Sequence, residues 1–190
     1  DTVRRQRQMC IRDRYKTRNN NDTNGDCTMS TMRVDTIEEK TSGAGVHIAG
    51  HVIQVVSTTY QTQAVNNSTS FADTGLTSSI TPKFSSSKIF ITVSQAYSLT
   101  QSSSSQWQGN LIIADGSNNL LFGGTGYDQF RIKDMIAFHW QTNLQLLHAP
   151  NTTSSFTYKT RMKAVISGTT VYAQYAGAAP SSITLMEIAQ

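Results

Sequence analysis

The chain is predicted to be all-β: a single antiparallel β-sandwich of jelly-roll type, with a short extended N-terminal stem and a disordered N-terminal arm. Three observations predict it. From Val52 onward apolar residues recur at every second position, turn-forming residues break these runs at short intervals, and no stretch keeps a helical period. A chain of 190 residues can bury about two-thirds of its unfolded surface, enough for one core. The expected layout is therefore an arm over 1–28, a stem or attachment segment over 29–50 and one sandwich over 51–190.

The clearest strand is the segment 156–166. Phe156, Tyr158, Met162, Ala164 and Ile166 fall on one face, and Lys159, Arg161 and Lys163 on the other. Ile89, Ile91 and Val93 share a face in 88–98, and Val171, Ala173 and Tyr175 share one in 170–175. Further strands are expected over 52–59, 76–81, 107–114, 119–122, 129–132, 136–147 with or without a break, and 183–189. Asp115-Gly116-Ser117-Asn118 and Ser167-Gly168-Thr169 read as tight hairpins. Pro82, Gly123-Gly124 and Ala149-Pro150-Asn151 mark wider reversals, and Ser102 to Ser105 a solvated loop. Helix is expected only near the stem, if anywhere.

Residues 1–28 differ from the rest. They hold seven basic and four acidic residues, both cysteines and almost nothing apolar, so they cannot build a core. Met9-Cys10-Ile11-Arg12-Asp13-Arg14 is what one frame of a common sequencing-library transposon tag encodes, and the arm is expected to be a read-through with Met29 as the start. Residues 29–190 carry nine basic and eight acidic residues, which removes the nucleic-acid reading that the pI of 9.2 invites. Cys10 and Cys27 both precede Met29, so no disulfide framework or cysteine metal site is expected in the sandwich. No run of eighteen apolar residues and no leader pattern appears, so membrane insertion and a secretory signal are not expected.

Catalytic constellations are sparse. There is no G-x-S-x-G elbow. A glycosidase would need two carboxylates flanking the scissile bond. Asp128 and Asp134 could approach each other across a loop, although solvated loop acids are the plainer reading. His47 and His51 have a helical metal-ligand spacing in a segment that reads as extended, which separates them by roughly 13 Å. His139, between Phe138 and Trp140, reads as a packed strand residue. Gly123-Gly124-Thr125-Gly126 lacks the lysine and following helix of a phosphate loop. No cofactor and no metal are expected.

What remains is aromatic. Phe122, Tyr127 and Phe130 surround the glycine-rich turn and Trp107 adjoins the serine-rich loop. Exposed aromatics beside small polar groups suit the apolar faces and hydroxyls of sugars. Trp107, Tyr127, Phe130 and Asp128 are accordingly the candidate receptor or glycan contacts, on the loops 99–106, 123–128 and 150–155. The opposing reading is that these aromatics fill the core. Ser and Thr make up 47 of the 190 residues, and only 15% are charged. Strand faces coated in this way tolerate close packing between subunits.

Three segments carry a resemblance: Met29-Ser30-Thr31-Met32-Arg33-Val34-Asp35-Thr36-Ile37, Ser79-Ile80-Thr81-Pro82-Lys83-Phe84-Ser85-Ser86-Ser87-Lys88-Ile89, and the closing Ile183-Thr184-Leu185-Met186-Glu187-Ile188-Ala189. Across 29–190 the chain resembles tail-fibre and virion-surface proteins of environmental bacteriophages. The resemblance implies a non-enzymatic virion protein, made in the host cytoplasm and carried on the particle. It would adhere to a host surface glycan or receptor, assemble as a homotrimer and dock on other virion proteins through its stem. A head-decoration or fibre protein without receptor binding is the alternative, and a polysaccharide depolymerase a third.

Overall fold

The computed structural model describes residues 36–38, 46, 48–101, 106–123, 130–132, 137–177 and 179–190. The chain divides into two units, Asp1–Ile37 and Glu38–Gln190, and every described strand lies in the second. The expectations for the arm, and most of those for the stem, fall outside the described residues.

The second unit is all-β. Its strands are β1 (Val52–Tyr60), β2 (Ala64–Asn66), β3 (Ala72–Ile80), β4 (Lys88–Gln101), β5 (Trp107–Asp115), β6 (Leu120–Phe122), β7 (Phe130–Ile132), β8 (Ala137–His148), β9 (Phe156–Ala164), β10 (Thr169–Ala173) and β11 (Ser181–Ile188). The only helical turn among the described residues is a single 3-10 turn at Tyr175–Gly177. All pairings are antiparallel and form two sheets.

Sheet A is organised on β4, whose 14 residues make it the longest strand. One edge pairs with β11 along its first half and β10 along its second, with β1 and β2 beyond them; the other edge pairs with β8 throughout. In sheet B the order is β3-β9-β5, and the far edge of β5 is shared by β6 and β7. Along the chain the path crosses from sheet to sheet at β2–β3, β3–β4, β4–β5, β7–β8, β8–β9 and β9–β10.

The two inner faces meet in one core. Ile89, Ile91, Val93, Tyr97 and Leu99 from β4, with Ile183 and Leu185 from β11, pack with Leu111 and Ile113 of β5 and Tyr158 and Met162 of β9. At about 25 cal/mol per Å² of apolar surface removed from water, this alternation is the main force holding the sheets together. A polar clasp runs through it. Buried Gln95 on β4 donates to Ser181 Oγ on β11 (3.0 Å) and accepts from Thr160 Oγ1 on β9 (2.9 Å), while Thr160 bonds Thr74 on β3. Such a network is satisfied in one alignment of the sheets only, so it fixes their register.

A second latch joins two of the segments that carry the resemblance. The Glu187 carboxylate is fully buried and accepts the backbone N–H groups of Lys83 (2.8 Å) and Phe84 (3.3 Å). The Gln54 amide donates to the same carboxylate and to the Thr81 carbonyl. The Ser-Ile-Thr-Pro turn and the closing strand are thus one structural unit, which explains why Glu sits in an apolar strand.

Several expectations change. β3 starts at Ala72, four residues earlier than the pattern suggested, because Gly75 interrupts the alternation with a bulge between Asp73 and Thr77. β8 is unbroken. The hairpin expected at Ser167-Gly168-Thr169 is a tight turn but not a hairpin: Thr169 N–H bonds the Ile166 carbonyl, Gly168 takes φ +89°, and β9 and β10 belong to different sheets. The turn at Asp115 does close the β5–β6 hairpin, with the Asp115 carboxylate accepting from Ser117 N–H and Asn119 N–H.

Candidate functional site

The residues first assigned to ligand contact separate in the structure. Trp107 corrects the expectation: it is 0% exposed, in the core, and offers no face to a ligand. Period two places it inward on β5, together with Gly109, Leu111 and Ile113, so the core reading of this aromatic is the right one. Tyr127 and Asp128 lie outside the described residues, as do His47 and Asp134. Phe130 opens β7, opposite Gly109, and its side chain is outside the description. His139 is also corrected: it is exposed on the outward side of β8, with its ring 4.4 Å from that of Tyr175. Among the described residues no group of three or more His, Cys, Asp or Glu could hold a metal ion.

The outward side of sheet B carries a cleft. Its volume is about 250 Å³, and Asp73, Gly75, Leu76, Thr77, Gly116, Thr157 and Lys159 line it. The bulge makes it. Between Asp73, opposite Arg161, and Thr77, opposite Lys159, β3 has more residues than β9, so the strand bows away and the surface opens. Gly75 takes φ +85°, a conformation that residues with a Cβ rarely adopt, and a side chain there would run into the Tyr60 ring.

One ion cluster sets the electrostatics. Asp73 Oδ2 accepts from Lys159 Nζ at 2.9 Å and Oδ1 accepts from Arg161 Nε at 2.7 Å. Arg161 Nη2 reaches the Phe71 carbonyl (2.8 Å), and Lys163 Nζ sits 4.8 Å over the Phe71 ring. Partial burial pushes the Asp73 pKa up, but the hydrogen bonds and charges of Lys159 and Arg161 outweigh it and hold the carboxyl below its ordinary value. Asp73 is therefore a fixed acceptor at neutral pH. The Thr77 hydroxyl donates to the Tyr158 carbonyl at 3.2 Å, which leaves its oxygen to accept. Lys159 has three protons, of which the Asp73 contact uses one. Thr157 shares a 2.7 Å hydroxyl contact with Ser79.

The lining thus offers one carboxylate, one ammonium and two hydroxyls around a floor built partly of glycine. These groups can donate to and accept from a polar ligand. The volume lies just below the ~300 Å³ at which pockets for drug-sized ligands begin, so it suits a small ligand.

The chain matches no family model and no curated protein. Its function has to be argued from the surface itself. Sequence reading missed the cleft because Asp73 and Lys159 are 86 residues apart and meet only through the β3–β9 register. The available signal was Gly75 inside an alternating run, since an isolated strand glycine marks a bulge or a close approach.

Proposed function

We propose that this chain is a non-enzymatic virion-surface adhesion module of the tail-fibre type, holding one ring of a host surface glycan in the sheet B cleft. The observation that carries the reading is the cleft itself, with Asp73, Thr77, Thr157 and Lys159 arranged around a glycine-bearing bulge. Asp73 supports binding over hydrolysis: a carboxyl whose pKa is held down by two cations is poorly suited to donate a proton, and it is the one carboxylate in the lining.

The strand order supports the jelly-roll form. The four-strand orders β1-β11-β4-β8 and β3-β9-β5-β7, with the repeated crossings between sheets, are those that a double Greek key would give. Jelly rolls occur among lectins and capsid proteins, although the fold alone assigns no function. No helix among the described residues is long and apolar enough to cross a membrane.

The test is a glycan array and host-cell adsorption with Asp73→Asn and Thr157→Val. Saturable binding that weakens at least tenfold in both variants, with unchanged circular dichroism, supports adhesion. Wild-type protein that binds neither glycans nor cells, while remaining on the particle, would favour the decoration role instead. Trp107→Ala is unsuitable as a probe, because emptying that core site would cost about 3–5 kcal/mol whatever the ligand.

A further inference from the structure

The outward face of sheet A has the opposite character. A row of apolar side chains crosses it from strand to strand: Val55 on β1 pairs with Met186 on β11, Met186 with Phe90 on β4, and Phe90 with Leu147 on β8. Partners in an antiparallel ladder share a face, so these four form one continuous strip. Its ends are open, Val55 being 56% and Leu147 50% exposed. Val52, at 52%, adds to it through Ile188. On the side away from Lys88 the next rows are neutral. Ser57, Thr184, Thr92 and Gln145 form one, and Ser57 and Thr184 share a 3.0 Å hydroxyl contact. At the other end Tyr172 pairs with Ser98 and Ser98 with His139, while Tyr175 closes edge-on over Tyr172 at 5.1 Å.

From this face we infer that sheet A is the surface through which copies of this chain associate. Charge decides between occupants. Lys88 is the one Lys, Arg, Asp or Glu at the outward positions of the described sheet A strands, so two such faces can meet without repulsion. Sheet B presents Arg131, Lys159, Arg161 and Lys163 against Asp73 and would repel its own copy. A nucleic acid or an anionic membrane would call for several cations, which this face lacks. Size agrees: four strands of 9, 8, 14 and 12 residues, at about 3.3 Å per residue and about 4.8 Å spacing, give a patch on the order of 700 Å². That is close to the ~800 Å² per partner of a stable interface. The serine and threonine rows carry no bulk, so two faces can approach closely.

The inference goes beyond the proposed function and is independent of the cleft. The test is sedimentation velocity and native mass measurement of the full chain at micromolar concentration, comparing wild type with Val55→Lys/Leu147→Lys. Wild type is expected to run as an oligomer and the double variant as a folded monomer with unchanged circular dichroism. Ser57→Arg, which changes only an exposed hydroxyl row, is expected to weaken association at least tenfold, and Lys163→Glu on sheet B to leave it unchanged. A monomeric wild type would overturn the inference, including the case where hydrogen exchange shows the strip covered by the chain's own N-terminal segment. So would an oligomer insensitive to both sheet A variants. Monomers made this way keep the cleft and should still bind glycan one to one, so failure of assembly and failure of adhesion read out separately.

Discussion

The two outward faces are built on the same strand chemistry and end in opposite states. Sheet B places Lys159, Arg161 and Lys163 at alternate positions of β9 and answers them with Asp73, leaving a charged, hydroxyl-rimmed cleft. Sheet A places Val55, Met186, Phe90 and Leu147 in one transverse row, amid neutral hydroxyls and nearly without charge. A monomer in water gains nothing from exposing such a strip, whereas a charged face is stable in water and open to a polar ligand. Under the proposed function and the inference from sheet A, the difference is a division of labour: one face would meet its own copy and the other a sugar.

The comparison presumes that both faces hang on one common interior, and the largest expected effect tests that. Glu187→Ala would strip the acceptor from the Lys83 and Phe84 N–H groups and from Gln54 in a fully buried site. A loss of about 3 kcal/mol by urea denaturation is expected, with both faces lost together. Loss of one function with the other intact would show that the faces are held independently.

Gly75→Val comes next. A side chain at φ +85° is strained and meets the Tyr60 ring, so a cost of about 2 kcal/mol is expected, with glycan binding abolished and assembly retained in sedimentation. Retained glycan binding would remove the cleft from the argument.

Asp73→Asn should weaken glycan binding at least tenfold yet change stability by less than about 1 kcal/mol, because the pair is half-exposed on the Asp73 side. Its pH dependence has a definite sign. The folded pKa lies below the ordinary 3.8, so the stabilisation is present above that value and is lost as pH falls through the folded one. Calorimetry of glycan binding between pH 3 and pH 7 should show affinity falling only at the acid end.

The smallest effect separates the interior from either face. His148, against Phe156 and Tyr158, has its pKa lowered by burial, with the Asp115 charge opposing. Its contribution is complete above the ordinary 6.5 and declines as pH falls through the lowered folded value, so the thermal midpoint should drop by a few degrees between pH 7 and pH 5. His148→Gln should flatten that slope. An unchanged slope would place the acid sensitivity elsewhere.

Much of the fold was legible because period two is a local signal. The apolar residues of β4, β9 and β11 name their own inward faces, and the Asp115 turn names its hairpin. Boundaries failed where a special backbone intervened, as at Gly75, or where a turn looked local but led to the other sheet, as at Gly168. The site was less legible for a related reason. Aromatic identity pointed to Trp107, yet an aromatic at an inward strand position is a core residue whatever loop lies beside it. His139 failed the other way: two aromatic neighbours suggested packing, but they alternate faces with it.

By itself the sequence determined that this is an all-β chain with a near-neutral body and one lysine-arginine strand face, since hydrophobic alternation and charge are written residue by residue. Only the tertiary structure decided what those strands lie beside. Register brings Asp73 to Lys159 and lines Val55 up with Leu147 across four strands, and register is fixed by contacts between segments far apart in the chain. Local pattern chooses the face of each strand; the partners on that face are chosen by packing.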